Sequence, residues 1–307
     1  MRDSFINSIY KVTKLNNNVL CMVGDIGAFL LRNYIRDFPF NYYNLGAAEA
    51  NMVGVAAGLA LSGKIPFVYT ITPFITARCY EQIKIDVCYN NANVKIVGVG
   101  SGVSYGTMGS THHSLEDIAI MRALPNMVII SPSDPQEVEE AVFAAMKYTG
   151  PTYIRLTLQS KPLNYDRGNF KIGKARIVKK GANAAIVATG EMVGIAIDAA
   201  ETLKKYNINC YVINLHTIKP IDKALIKKLS EECNAIVSIE EHSVIGGLGS
   251  AVSSIISQYP KNNARYKIMG FNDVFCKEYS QDKLKIFKKY GLSADYLAKE
   301  MLKLYNL

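Results

Sequence analysis

The sequence lacks the features that classify a chain at a glance: paired cysteines, long apolar runs and phosphate-cradling glycine motifs. Its six cysteines, at positions 21, 79, 88, 210, 233 and 276, show neither CxxC nor disulfide-like spacing. They fit reduced thiols in a cytoplasmic protein and exclude a disulfide-stapled scaffold. No apolar run reaches the length of a membrane span, and the opening MRDSFINSIYK has no signal-peptide pattern. Neither GxGxxG nor GxxxxGKS/T occurs, so no recognised nucleotide-phosphate cradle is present. Short repeats and low-complexity tracts are missing too. An excess of basic charge is missing from the first half: residues 1–160 carry 12 basic and 12 acidic side chains, residues 161–307 carry 23 and 14. The resulting net charge of +9 is mostly lysine spread along predicted helices, with no aromatics interleaved at regular spacing. That is a set of solvated faces, not a nucleic-acid stripe.

What is present is ordinary globular composition, 49% hydrophobic and 20% charged over 307 residues, enough for two domains. The stretch around which the chain is organised is NLGAAEANMVGVAAGLAL, residues 44–61, with the single carboxylate Glu49 in an otherwise uncharged run. Ala, Leu and Met favour a helix over 48–61, and the small residues let another backbone come close. A helix apolar nearly all round should be buried, at an interface. Burial would raise the pKa of an acid there, whereas a place in the helix's first turn would lower it. On composition alone, a plain first-turn acid and a functional one are equally open.

Strands fit 19–23, 65–70, 94–99, 126–131 and 152–156. Helices fit about ten residues after Gly27, then 48–61, 74–89, 114–122 and 135–147. A polar Pro- and Gly-containing stretch, 159–181, breaks the alternation. Strands at 184–188, 209–214, 235–239 and 266–270 then alternate with helices at 191–205, 222–232 and 248–258, and a helical tail follows Ser293. This predicts an α/β protein of two domains, 1–160 and 181–307 with a linker at 161–180, each a mostly parallel sheet with helices on both faces. Ligands of such sheets sit at the carboxyl ends of strands, which points to the loops after Val23, Thr70 and Val99.

Those loops hold Asp25, FITARCYEQ (74–82) and GSGVSYGTMGSTHHSLED (100–117), the last with Ser101, Ser104, His112 and His113. The histidines could serve as acid and base. For an isolated pair, capping of the following helix is favoured, and no third ligand has metal-binding spacing. The stretch IEEHSVIGGLGSAV (239–252) could be a small site or an interface turn, with the turn slightly preferred.

In this order, LGAAEANMVGVAAGLA, RCYEQIKIDVCY, GSTHHSLEDIAIMRALPNMVIISPSDPQE, TGEMV, HTIKPID and EEHSVIGGLGSAV resemble the transketolase family of thiamine-diphosphate enzymes. The resemblance covers residues 18–258 and implies a pyrimidine-binding domain followed by the family's C-terminal domain. It implies that Glu49 holds N1′ of the aminopyrimidine and favours the imino form that activates the thiazolium. Phe74 then stacks on the pyrimidine, with Tyr69 and Ile71 nearby, and Arg78 and Asp25 lie close to the cofactor. His112, with Ser101 and Ser104 in the same loop, meets the substrate. The family's GDG motif, which binds diphosphate and Mg²⁺, does not occur. The resemblance therefore implies a C-terminal subunit that works with a separate N-terminal subunit supplying that site, in an α₂β₂ assembly. The expected reaction is transfer of a two-carbon ketol unit to an aldehyde. The alternatives are a 2-oxoacid-decarboxylating subunit, like deoxyxylulose-phosphate synthase or an E1 β chain, or a non-catalytic scaffold. Met108, Gly100 and Leu158 stand where the family often has Asp, His and the phosphate-clamping Arg. A non-phosphorylated, modified or nucleotide-linked sugar is the expectation, with Arg155 a possible substitute cation.

Overall fold

The computed structural model describes residues 1–158 and 160–306; Gln159, where the polar stretch begins, lies outside the described residues. The first half contains α1 (Arg2–Leu15), β1 (Val19–Val23), α2 (Arg32–Asp37), β2 (Tyr42–Asn44), α3 (Glu49–Leu61), β3 (Ile65–Ile71), α4 (Thr72–Thr76) and α5 (Tyr80–Gln82). After α5 a π-helical turn spans Ile83–Tyr89, followed by β4 (Lys95–Val99), α6 (Asp117–Ala123), β5 (Val128–Ile130), α7 (Pro135–Lys147) and β6 (Thr152–Leu156). The second half contains β7 (Arg176–Lys179), β8 (Ala184–Ala188), α8 (Met192–Lys204), β9 (Cys210–Asn214), β10 (Thr217–Lys219), α9 (Lys223–Glu232), β11 (Ala235–Ser243), α10 (Leu248–Ile256), β12 (Arg265–Phe271), α11 (Lys283–Lys289) and α12 (Ala294–Tyr305).

Two mostly parallel sheets result, in the orders β10-β5-β6-β4-β3-β1-β2 and β12-β11-β8-β9-β7. The predicted strands are all present; β1, β4, β6 and β8 are buried at every position, and they are apolar apart from Lys95, Thr152 and Arg155. Helix starts follow local capping: Asp134 accepts from the Glu137 amide ahead of Pro135, and Ser293 caps α12.

Several elements depart from the sequence-based expectation. The helix expected over 74–89 is broken into α4, α5 and the π-helical turn, because Cys79 leaves helical backbone at φ −108°, ψ 15°. The helix expected after Gly27 is only the six residues of α2. The stretch 161–180 is more than a connector: its last residues form β7, antiparallel to β9. Strand β10, from the second half, pairs antiparallel with β5 and so completes the first sheet. One apolar cluster accordingly runs from Met22 and Met52 through Tyr153 to Val187, Ile213 and Val252. The two halves share a core.

Candidate active site

The ends of four neighbouring strands converge on one place. The chain leaves β1 through Gly24 and Asp25, follows β2 into Glu49, leaves β3 through Thr70 into α4, and leaves β4 into the loop from Gly100 to His112. Glu49 opens α3 and is only 2% exposed. It is not alone: Arg78 Nη1 donates to its Oε2 at 2.7 Å, and Thr70 Oγ1 donates weakly to Oε1 at 3.4 Å. Gly24 packs closely beneath it: a Cβ there would lie 3.3 Å from Glu49 Oε1 and 3.2 Å from Thr70 Oγ1, so either side chain would have to shift slightly.

From Glu49 the contacts run outward without a gap. The Arg78 guanidinium lies 4.3 Å over the Phe74 ring. Phe74 meets the His112 ring edge-on at 5.2 Å, and His112 meets Tyr105 in the same manner at 5.8 Å. Thr111 Oγ1, 2.9 Å from His112 Nδ1, fixes the imidazole's rotation. Glu49, Arg78, Phe74 and His112, each singled out in the sequence, thus form one constellation. A flat group bearing N–H already donates to Glu49 and stacks on Phe74, namely the guanidinium of Arg78. An aminopyrimidine matches that place in shape and hydrogen bonding once the Arg78 guanidinium swings aside to its edge. Among the described residues no group of three or more His, Cys, Asp or Glu side chains is placed to hold a metal ion. The residues present fit the pyrimidine end of the cofactor.

The other sequence candidates have different surroundings. Asp25, exposed and at φ +55°, exchanges hydrogen bonds with Asn44 at 3.1 and 3.2 Å, next to the Glu49 group but bonded away from it. Ser101 is fully buried, and the Ser104 hydroxyl accepts from Lys283 at 3.1 Å. His113 turns away from His112 into the seam between the halves, where burial lowers its pKa. Neither histidine caps the following helix, which starts only at Asp117 with no side-chain cap.

Arg155 cannot serve as a substitute phosphate clamp. It is 3% exposed, its Nε donates to Asp117 at 2.7 Å and its Nη2 to the Glu241 carbonyl at 2.9 Å. Burial opposes ionisation of Asp117, but the adjacent Arg155 outweighs it and holds that carboxyl below its usual value. The IEEH stretch is likewise structural. Glu240 accepts from the Leu248 and Gly249 amides at 2.6 and 2.8 Å, at the start of α10. Glu241 accepts from the Val103 amide, and His242 Nε2 accepts from the Ala119 amide at 3.3 Å. Glu241 and His242 thereby stitch the halves together.

Comparison with known proteins identifies the family. The family described as "Transketolase, pyrimidine binding domain" matches residues 1–162, and "Transketolase, C-terminal domain" matches 173–297. The chain is 41% identical to an apulose-4-phosphate transketolase subunit of Actinobacillus succinogenes over 227 residues, 74% of this chain and 73% of that protein. It is 35% identical over 297 residues to the 6-deoxy-6-sulfo-D-fructose transketolase subunit of a Clostridium species, covering 96% and 91% of the two chains. A split-gene transketolase solved as an inactive β4 tetramer superposes with a TM-score of 0.90 at 34% identity, over 100% of this chain and 98% of that one. The chain belongs to the transketolase family.

Proposed function

We propose that this chain is the C-terminal subunit of a two-chain, thiamine-diphosphate-dependent transketolase that moves a two-carbon ketol unit from a ketose to an aldehyde. The observation that carries the reading is the unbroken series Thr70–Glu49–Arg78–Phe74–His112. It joins a buried carboxylate to an aromatic platform and a substrate-side imidazole at the carboxyl ends of the strands. Glu49 would hold the aminopyrimidine, Phe74 would stack on it, Arg78 and Asp25 would flank it, and His112 would contact sugar oxygens. Ser101 and Ser104 would shape the substrate loop from behind. Bound there, thiamine diphosphate supplies the carbanion chemistry that no side chain can. The diphosphate and Mg²⁺ would be held by a separate N-terminal subunit, in an α₂β₂ assembly. An apolar surface for such a partner exists on α3 and the adjoining π-helical turn, where Val55, Leu61, Ile85 and Tyr89 are exposed.

The donor is a modified sugar in this reading. Leu158 stands at the family's clamp position and Arg155 is committed to Asp117, which favours a ketose without a terminal phosphate. The two relatives are named for a phosphorylated and a sulfonated sugar. An anionic end would therefore require a cation from the partner subunit.

The test is consumption of substrate by the reconstituted pair. Incubation with xylulose 5-phosphate, with non-phosphorylated and sulfonated ketoses, and with pyruvate is expected to consume a modified ketose and spare pyruvate. Consumption of pyruvate instead would assign the decarboxylating chemistry.

A further inference from the structure

Tyr105 sits midway along the loop from Gly100 to His112, and its ring lies flat against the backbone of Gly100. Gly100 has φ +74°, and a Cβ there would come within 2.0 Å of Tyr105 Cε2. The absence of a side chain at position 100 is what lets the ring reach His112, 5.8 Å away between centroids. Among the described residues nothing hydrogen-bonds the Tyr105 hydroxyl. The ring is half-buried, and burial raises the phenol's pKa, so it is a proton-bearing donor at neutral pH. The Tyr105 ring is held beside the substrate-side imidazole, and its hydroxyl, without a protein partner among the described residues, is open to a ligand oxygen.

The residues on either side of Tyr105 are tied to the second half of the molecule. The Val103 amide donates to Glu241 Oε1 at 2.7 Å, Lys283 Nζ donates to Ser104 Oγ at 3.1 Å, and the Ser280 amide donates to the Gly106 carbonyl at 3.1 Å. Glu241 is 2% exposed and is bridged through Lys283 to Glu191. Buried charge on one half thus fixes the backbone around a single residue of the other. That is preorganisation of a contact at a functional site.

We propose that Tyr105 is a specificity-determining residue whose hydroxyl donates a hydrogen bond to an oxygen of the ketose beside His112, and that the Glu241–Lys283 pair positions it. The assignment rests on the transketolase reading above and names a substrate contact within that site.

The experiment uses the chain reconstituted with its N-terminal subunit, thiamine diphosphate and Mg²⁺. It compares wild type, Tyr105→Phe, Lys283→Met, Lys283→Arg and Glu49→Gln on the preferred ketose. Tyr105→Phe keeps the ring over Gly100 and removes only the hydroxyl. It is expected to raise KM about fivefold or more with kcat within about twofold of wild type. Lys283→Met should raise KM in the same direction, and Lys283→Arg should recover most of the loss. Should Lys283→Met fail to fold, as a thermal melt would reveal, Tyr105→Phe and Lys283→Arg decide the matter. An active wild type with an unchanged KM in Tyr105→Phe, or a loss confined to kcat, overturns this assignment and leaves the transketolase reading standing. A wild-type pair that consumes pyruvate but no ketose, with Glu49→Gln abolishing that activity, overturns the transketolase reading and this assignment with it.

Discussion

Glu49 is the residue on which the proposed chemistry turns. Its isolation in an apolar run made it legible in the sequence, because a lone acid on an otherwise apolar helix needs a reason. Its partner was harder to foresee, since Arg78 lies 29 residues away in the chain and its guanidinium reaches back only because α4 follows β3 directly. Thr70 and Tyr105 gave no sequence signal of their own, one a strand-end hydroxyl and the other an aromatic in a loop without periodicity. Replacing Glu49 by Gln keeps volume and hydrogen-bonding shape but removes the ability to take a full proton. Turnover by the reconstituted pair should fall by about a hundredfold or more, while sedimentation velocity shows unchanged association. Undiminished turnover would mean that the chain serves its partner only as a scaffold.

At the scale of elements, the alternation of strands and helices could be read because buried parallel strands are continuous apolar runs. The antiparallel strand β10 escaped, as three residues between β9 and α9 carry no pattern. Yet it closes the seam, and His216 just before it shows how tightly. That imidazole is 1% exposed, stacks on Phe170 at 4.2 Å, and has Nδ1 3.0 Å from Thr217 Oγ1. Burial lowers its pKa from 6.5 to about 4, with Glu137 and Arg176 pulling in opposite directions. The folded state then resists a proton that the unfolded chain accepts, so the His216 contribution is fully present above pH 6.5 and is lost as pH falls towards 4. The loss amounts to about 3 kcal/mol at most. Urea unfolding at pH 7 and pH 5 should show wild type losing stability on acidification and His216→Asn losing less. Parallel losses in both proteins would assign the pH dependence elsewhere. The same seam explains why Arg155 was misjudged as a phosphate ligand: from the sequence it is a lone strand arginine, and only the fold brings Asp117 to it.

On the proposed reading, the whole molecule is one half of an active assembly. Its two sheets share a core, so the chain folds as a unit. The catalytic constellation, however, faces outward at strand ends, with Arg78 about half exposed and apolar residues open on α3. Composition carries no sign of a second chain; the missing GDG motif is what motivates the two-chain proposal. The central claim is that cofactor binding needs two chains. Isothermal titration of thiamine diphosphate with Mg²⁺ into this chain, into the N-terminal subunit and into their mixture tests it most directly. The account predicts tight binding and ketose turnover for the mixture alone. Tight binding with turnover by this chain in isolation would contradict it.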